Sequence, residues 1–175
     1  MSRGECACGM LFQMRALSVN GSPSRQGRTV AHLKKLELPV VHLSDGIEQA
    51  VSAILDADLV VFATPVYWFN VSALMKQLIE ALPEAPDYEC EGKIAFLLAV
   101  CDDDGGQQAL NQMAAPLSHM GFGFPPYALS NYINHSMMER SEEQWQREVT
   151  SHMKSQIGKI MREHGKAKRR GVLKF

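Results

Sequence analysis

The chain has 175 residues, 46% apolar and 21% charged, with 18 Lys and Arg against 19 Asp and Glu. Such a chain can bury a core without disulfides or a metal, and its composition is ordinary for a soluble protein. The charge is uneven, since residues 154–175 hold eight Lys and Arg and one Glu. We read that as the solvated end of a last helix, its cations favoured by the helix dipole, rather than as a nucleic-acid or membrane contact.

Residues 1–13 mix Gly, Cys and Arg ahead of the first strand. They are expected to be a disordered extension to a single domain spanning 14–175. Met14 to Val19 reads as a buried strand, followed by a loop and a weakly helical stretch from Thr29 to Leu36. Val40 to His42 is a short second strand. Asp45 and Glu48 resemble a capping box for a helix over Ile47 to Asp56, with a one-sided apolar stripe. Leu59 to Thr64 has no alternation, which predicts a strand covered on both faces. Val71, Leu74, Met75, Leu78, Ile79 and Leu82 give a second helical stripe, Ile94 to Val100 a further buried strand, and Leu110 to Leu117 another helix. A brief strand is expected around Tyr127 to Leu129. Ser141 and Gln144 suggest a cap for a long helix through His164, with Trp145, Val149, Met153, Ile157, Ile160 and Met161 facing inward. Alternating strands and helices with short loops predict a doubly wound α/β fold with one parallel sheet.

The four cysteines, Cys6, Cys8, Cys90 and Cys101, lack Cys-x-x-Cys spacing and a His-x-x-x-His partner, so no zinc or iron–sulfur site is suggested. With no signal-peptide core and no apolar run of about eighteen residues, the chain is expected to be cytoplasmic, without a membrane span, its thiols reduced.

Residues 21–29 are the densest chemical signal. A strand leads into Gly21-Ser22-Pro23-Ser24-Arg25-Gln26-Gly27-Arg28-Thr29 and then a helix. Backbone N–H groups and the positive helix end converge there on one point, and Ser22, Ser24, Thr29, Arg25 and Arg28 can add hydroxyl and guanidinium donors. A P-loop NTPase is excluded, because Gly21 and Gly27 are one residue too far apart and Arg28 stands where lysine belongs. A phosphocysteine phosphatase is excluded because the loop holds no thiol. A loop that holds a phosphate without attacking it suits a nucleotide cofactor. The bland alternative is a Gly/Ser/Pro turn with no ligand.

Two further loops should share its edge, since ligands of such sheets bind beyond the carboxyl ends of the strands. One is Pro65-Val66-Tyr67-Trp68-Phe69-Asn70, whose aromatic residues are costly to leave in water. The other is Cys101 to Gln107, whose Gly105 and Gly106 permit close backbone approach. A phosphate cradle, an aromatic wall and a glycine loop match the shape of flavin mononucleotide (FMN). The aromatic loop also suits a subunit contact, and the two readings are compatible.

Asn20 to Pro23, then Gly27-Arg28-Thr29, then Thr64 to Trp68 leading into Ser72–Glu80, resemble the NADPH-dependent FMN reductase branch of the flavodoxin-like superfamily. The resemblance runs from about Met14 to Leu117 and implies a five-stranded sheet of order 2-1-3-4-5. It implies an FMN phosphate held by Ser22, Ser24, Gly27, Arg28 and Thr29, with Arg25 sharing the charge. It implies ring contacts from Pro65, Val66, Tyr67, Trp68, Phe69 and Asn70 and from the loop of Asp102, Gly105 and Gly106. It further implies homodimers or homotetramers, NADH or NADPH as hydride donor, and a small acceptor such as a quinone, flavin, azo or nitro compound or metal ion. The chemistry would lie on FMN, with no protein general acid or base. The chain departs from that pattern at Ser24, where a basic residue is usual, and at Asp102 to Asp104, where small neutral residues are usual. The second departure leaves the choice between NADH and NADPH open. His135 reads as a solvated loop residue rather than a catalyst. The rival reading is a flavodoxin-like one-electron carrier that docks a redox protein.

Overall fold

Leu59, Val60, Val61, Phe62 and Ala63 are all excluded from solvent, and so are Ala95 to Leu97, because these runs form the middle of a sheet covered on both faces. The structure, a computed structural model, describes residues 14–84, 90–133 and 142–169. In chain order it contains β1 (Ala16–Asn20), α1 (Arg28–Lys35), β2 (Val40–His42), α2 (Ile47–Asp56), β3 (Leu59–Pro65), α3 (Ala73–Ala81), β4 (Ile94–Cys101), α4 (Gly106–His119), β5 (Leu129–Ile133) and α5 (Glu142–Arg169). All strand pairs are parallel, in the order β2-β1-β3-β4-β5. This is the expected flavodoxin-like order.

The pleat sends successive side chains to opposite faces. Val60 and Phe62 join Met75, Leu78, Leu110 and Met113 on the side of α2, α3 and α4. Leu59, Val61 and Ala63 join Leu33, Met153 and Ile157 on the side of α1 and α5. Full burial of a side chain such as Phe62 stabilises by about 2–3 kcal/mol, so the two cores hold the strand ends firmly. Asn20 pairs with Ala63, and Thr64 with Ala99, which keeps the carboxyl ends of β1, β3 and β4 level. Lys93 closes the other end, its Nζ donating to the carbonyls of Leu55 (2.6 Å) and Ala57 (2.7 Å) at the end of α2.

Two sequence expectations need correction. Asp45 does not cap α2. The N-cap is Gly46 at φ 145°, with no side-chain cap bond, and the Asp45 carboxylate is taken by the Arg25 guanidinium. The last strand begins at Leu129 rather than Tyr127, because Tyr127 sits at φ 62° and Ala128 closes a turn onto the Pro125 carbonyl. Met153, Ile157, Ile160 and Met161 pack on the sheet as expected. The expected N-terminal extension, His135, the Ser141 cap and the inward faces of Trp145 and Val149 lie outside the described residues and side chains.

Candidate functional site

β1 ends on Asn20, an amide excluded from solvent that shapes the next loop. Its Nδ2 faces the carbonyls of Ser22 (3.1 Å) and Ser24 (3.2 Å) and His42 Nδ1 (2.9 Å), while its Oδ1 accepts from the Ser22 N–H (3.1 Å). Ser22 Oγ then accepts from the Ser24 N–H, and Ser24 Oγ from the Gln26 N–H. These hydroxyl oxygens bend the loop as acceptors, so their own protons stay available for an anion. Gly21 lies against β3, where a Cβ would come within 2.9 Å of the Ala63 carbonyl. Ser72 Oγ donates to the Gly21 carbonyl (2.6 Å) and accepts from the Met75 N–H (3.1 Å), so one hydroxyl caps α3 and fixes the loop.

The start of α1 is built for negative charge. Gly27 is its N-cap with no side-chain cap bond, and its first turn holds no acidic residue. The first N–H groups of a helix have no partner within it, and among the described residues no side chain competes for them. Thr29 is buried at this end. Arg28 Nη2 pairs with Asp102 Oδ1 of the loop after β4, whereas its Nη1 is buried with no hydrogen-bond partner among the described residues.

β3 delivers the aromatic turn. Tyr67 and Asn70 exchange two backbone hydrogen bonds of 3.0 Å, and the residues between them, Trp68 and Phe69, lie at φ 50° and 64°. Two left-handed non-glycine residues in a row cost about 1 kcal/mol or more each, and the surroundings enforce them. Gln112 of α4 donates to Asn70 Oδ1 (3.0 Å) and accepts from the Val71 N–H (3.1 Å). Asn70 Nδ2 donates to the Trp68 carbonyl (2.6 Å). The Val66, Tyr67 and Asn70 N–H groups are spent within the protein, which leaves those of Trp68 and Phe69 without a backbone acceptor among the described residues. Trp68 is 90% exposed, and Tyr67 and Phe69 are about half exposed.

The glycine loop touches this turn. A Cβ on Gly105, at φ 87°, would fall 2.8 Å from Phe69 Cα, and one on Gly106 would fall inside the Asn131 amide. Asp104 Oδ1 accepts from the Gly105 N–H (2.7 Å). Cys101, at the end of β4, is buried, and burial, aided by the three aspartates after it and opposed by the Gly106 N–H, pushes its thiol up. It is therefore no thiolate nucleophile.

The fold thus gathers Ser22, Ser24, Arg25, Gly27, Arg28 and Thr29 at the end of β1, Pro65 to Asn70 at the end of β3, and Asp102, Gly105 and Gly106 at the end of β4. Arg25 is turned away to Asp45. Sequence reasoning missed the supporting residues Asn20, Ser72, Gln112 and Asn131. Asn20 and Ser72 stood in the motifs that carry the family resemblance without a role of their own, and Gln112 and Asn131 left no signal. The donor set suits a flavin phosphate and the outward aromatic turn a flat ring. Among the described residues no helix is long and apolar enough to cross a membrane, and no group of three or more His, Cys, Asp or Glu residues could hold a metal ion.

Residues 29–134 match the family described as NADPH-dependent FMN reductase. Over 98 residues the chain is 28% identical to YwqN of Bacillus subtilis, named as an NAD(P)H-dependent FMN-containing oxidoreductase. That alignment takes in 50% of this chain and 54% of YwqN, so the chain spans about half the length of the curated relative it matches. Among solved structures, a flavodoxin, WrbA-like protein from Agrobacterium tumefaciens superposes with TM-score 0.64 at 15% identity, over 87% of this chain and 99% of that one. The NADH:FMN oxidoreductase EMOB, in its apo form, gives TM-score 0.60 at 19% identity, over 81% and 88% of the two chains.

Proposed function

The chain belongs to the NADPH-dependent FMN reductase family, and on that premise we propose that it is an FMN-dependent oxidoreductase that carries electrons from reduced nicotinamide to a small acceptor. One observation carries the reading: α1 begins without a side-chain cap bond or an acidic residue, beside a buried guanidinium nitrogen that has no acceptor among the described residues. Ser22, Ser24, Gly27, Arg28 and Thr29 would hold the phosphate. Arg25 would contribute only by leaving Asp45. Pro65 to Asn70 and Asp102 to Gly106 would flank the ring, with the Trp68 and Phe69 N–H groups as donors to its edge. When bound, FMN would supply the redox chemistry, two-electron transfer from a reduced nicotinamide to the acceptor. The side chains of this domain bind, orient and shield. The acceptor would be a quinone, flavin, azo or nitro compound or metal ion, read by the half-exposed Tyr67 and Phe69.

The loop from Cys101 to Gln107 carries three carboxylates and no Lys or Arg of its own, and only Asp102 is seen on the Arg28 guanidinium. That balance disfavours the extra phosphate of NADPH, so NADH should compete well with it. The aromatic turn borders a groove of about 540 Å³ between α3 and α4, lined by Val71, Ala73, Lys76, Ile79 and Pro116 among others. A second copy of the chain covering this face would make a homodimer or homotetramer. We assign the whole unit, 14–175, to one cytoplasmic domain.

Anaerobic titration tests the reading. The protein should take up FMN in preference to riboflavin, and stoichiometric NADH should bleach the bound flavin directly. Selective FMN uptake with no bleaching by NADH or NADPH would favour the one-electron carrier instead.

A further inference from the structure

Arg28 opens α1, and Asp102 is the first residue after β4, 74 positions later, yet their side chains form an ion pair across the site. The pair joins the phosphate loop to the glycine loop. Its members are unequal, since the Arg28 side chain is 38% exposed and that of Asp102 is 73% exposed. Arg28 is therefore held by its surroundings, whereas Asp102 reaches in from solvent. Asp104 is turned back to the N–H of Gly105, so it does not share this role. A carboxylate on the guanidinium at the mouth of a helix N-terminus reproduces the chemistry of a phosphate oxygen at that place.

We infer that Asp102 is an internal competitor for the cofactor phosphate, a latch that occupies Arg28 until a phosphate monoester displaces it. The inference rests on the phosphate-loop reading above. Release costs little, because an exposed carboxylate regains water and exposed ion pairs are weak. A phosphate dianion gains more, because it meets Arg28 together with the open N–H groups of α1. The exchange ties the two ends of the site together. A phosphate arriving at Arg28 frees a carboxylate at the ring end, and a ligand without phosphate leaves the latch closed. Asp102 thus lowers affinity for every phosphorylated ligand, and FMN binds against it.

Flavin fluorescence quenching tests this on the full-length protein stripped of flavin, with FMN and riboflavin as probes. The proteins compared are wild type, Asp102→Asn, Asp103→Asn, Arg28→Gln and the Arg28→Gln/Asp102→Asn double variant. Asp102→Asn should tighten FMN binding by roughly three- to fivefold and change riboflavin binding by less than about twofold. Asp103→Asn should change FMN binding by less than about twofold, and so should adding Asp102→Asn to Arg28→Gln, because the gain passes through the guanidinium. Unchanged or weaker FMN binding by Asp102→Asn overturns the latch. So does an equal gain from Asp103→Asn, which would mean diffuse charge repulsion, or an equal gain for riboflavin, which would place Asp102 on the ring. A wild type that binds riboflavin as tightly as FMN removes the phosphate-loop reading itself. FMN selectivity without an Asp102 effect removes the latch alone.

Discussion

Lowering the pH should unfasten α1 through a single side chain. His32 of α1 is 1% exposed, stacks on Tyr132 of β5 at 4.4 Å between ring centres, and has Nδ1 3.2 Å from Thr150 Oγ1 of α5. Its Nε2 is buried with no partner among the described residues. Burial first, then the positive charges of Lys35 and Arg28, lower its pKa from 6.5 to about 4. A histidine depressed in the folded state contributes stability that is complete above its unfolded value of 6.5 and is lost as pH falls towards about 4. At about 1.4 kcal/mol per pH unit that span is worth about 3 kcal/mol, of which about 2 should be gone by about pH 5. The assay is urea unfolding at constant ionic strength between about pH 7 and about pH 5, for wild type and His32→Asn, whose amide can still meet Thr150. Other groups titrate in both proteins, so only the difference in slope is informative. Wild type should lose about 2 kcal/mol more than the variant over that range. Because α1 also carries the candidate phosphate donors, flavin retention should fall further over the same interval in wild type than in the variant, protonation of the FMN phosphate being common to both. Equal slopes within about 0.5 kcal/mol would refute the argument, since that is the error expected of independent sites.

Replacing Arg28 and Thr29 together by alanine should weaken FMN binding by roughly 2–5 kcal/mol, measured by fluorescence titration, through loss of charge-assisted hydrogen bonds to a dianion. Circular dichroism of that variant should match wild type, and full flavin content would remove both residues from the site. Trp68→Asn should raise stability in urea by up to about 1 kcal/mol, because asparagine tolerates the left-handed backbone that tryptophan endures there, while weakening FMN binding. A loss of stability would show that the turn is not strained. Sedimentation should find a dimer or larger assembly, since Trp68 is 90% exposed and stands beside the groove between α3 and α4; a monomer at working concentration would leave the aromatic turn to ligands alone.

The interior of the fold could be read from the chain because its signals are local. β3 and β4 are unbroken apolar runs, and α2 repeats apolar residues at i, i+3 and i+4, so burial on both faces or on one follows from order alone. β5 escaped for the opposite reason. Leu129-Ser130-Asn131-Tyr132-Ile133 is a half-polar edge strand with only Tyr132 fully buried, whereas the apolar stretch before it ends in a turn with Tyr127 70% exposed. Local composition there set the strand two residues early, overlapping β5 only at Leu129.

The site divides along the same line. Its loops announce themselves, since glycines, hydroxyls and aromatics cluster within a few positions at each strand end. What holds the loops is non-local: Gln112 grips a turn 41 residues earlier, Ser72 reaches back 51 residues to Gly21, and Arg28 meets Asp102. A single sequence shows the charge of Arg28 and of Asp102 but not that one neutralises the other. The distinction changes the chemistry expected. Counted separately, the two arginines at 25 and 28 promise a strongly cationic cradle. In the fold each is already matched by a carboxylate, Arg25 by Asp45 and Arg28 by Asp102. The positive potential at the head of α1 then rests mainly on its open backbone N–H groups. An anion gains a guanidinium there only by winning it from an aspartate, so affinity is set by that contest as much as by the motif that announces the loop.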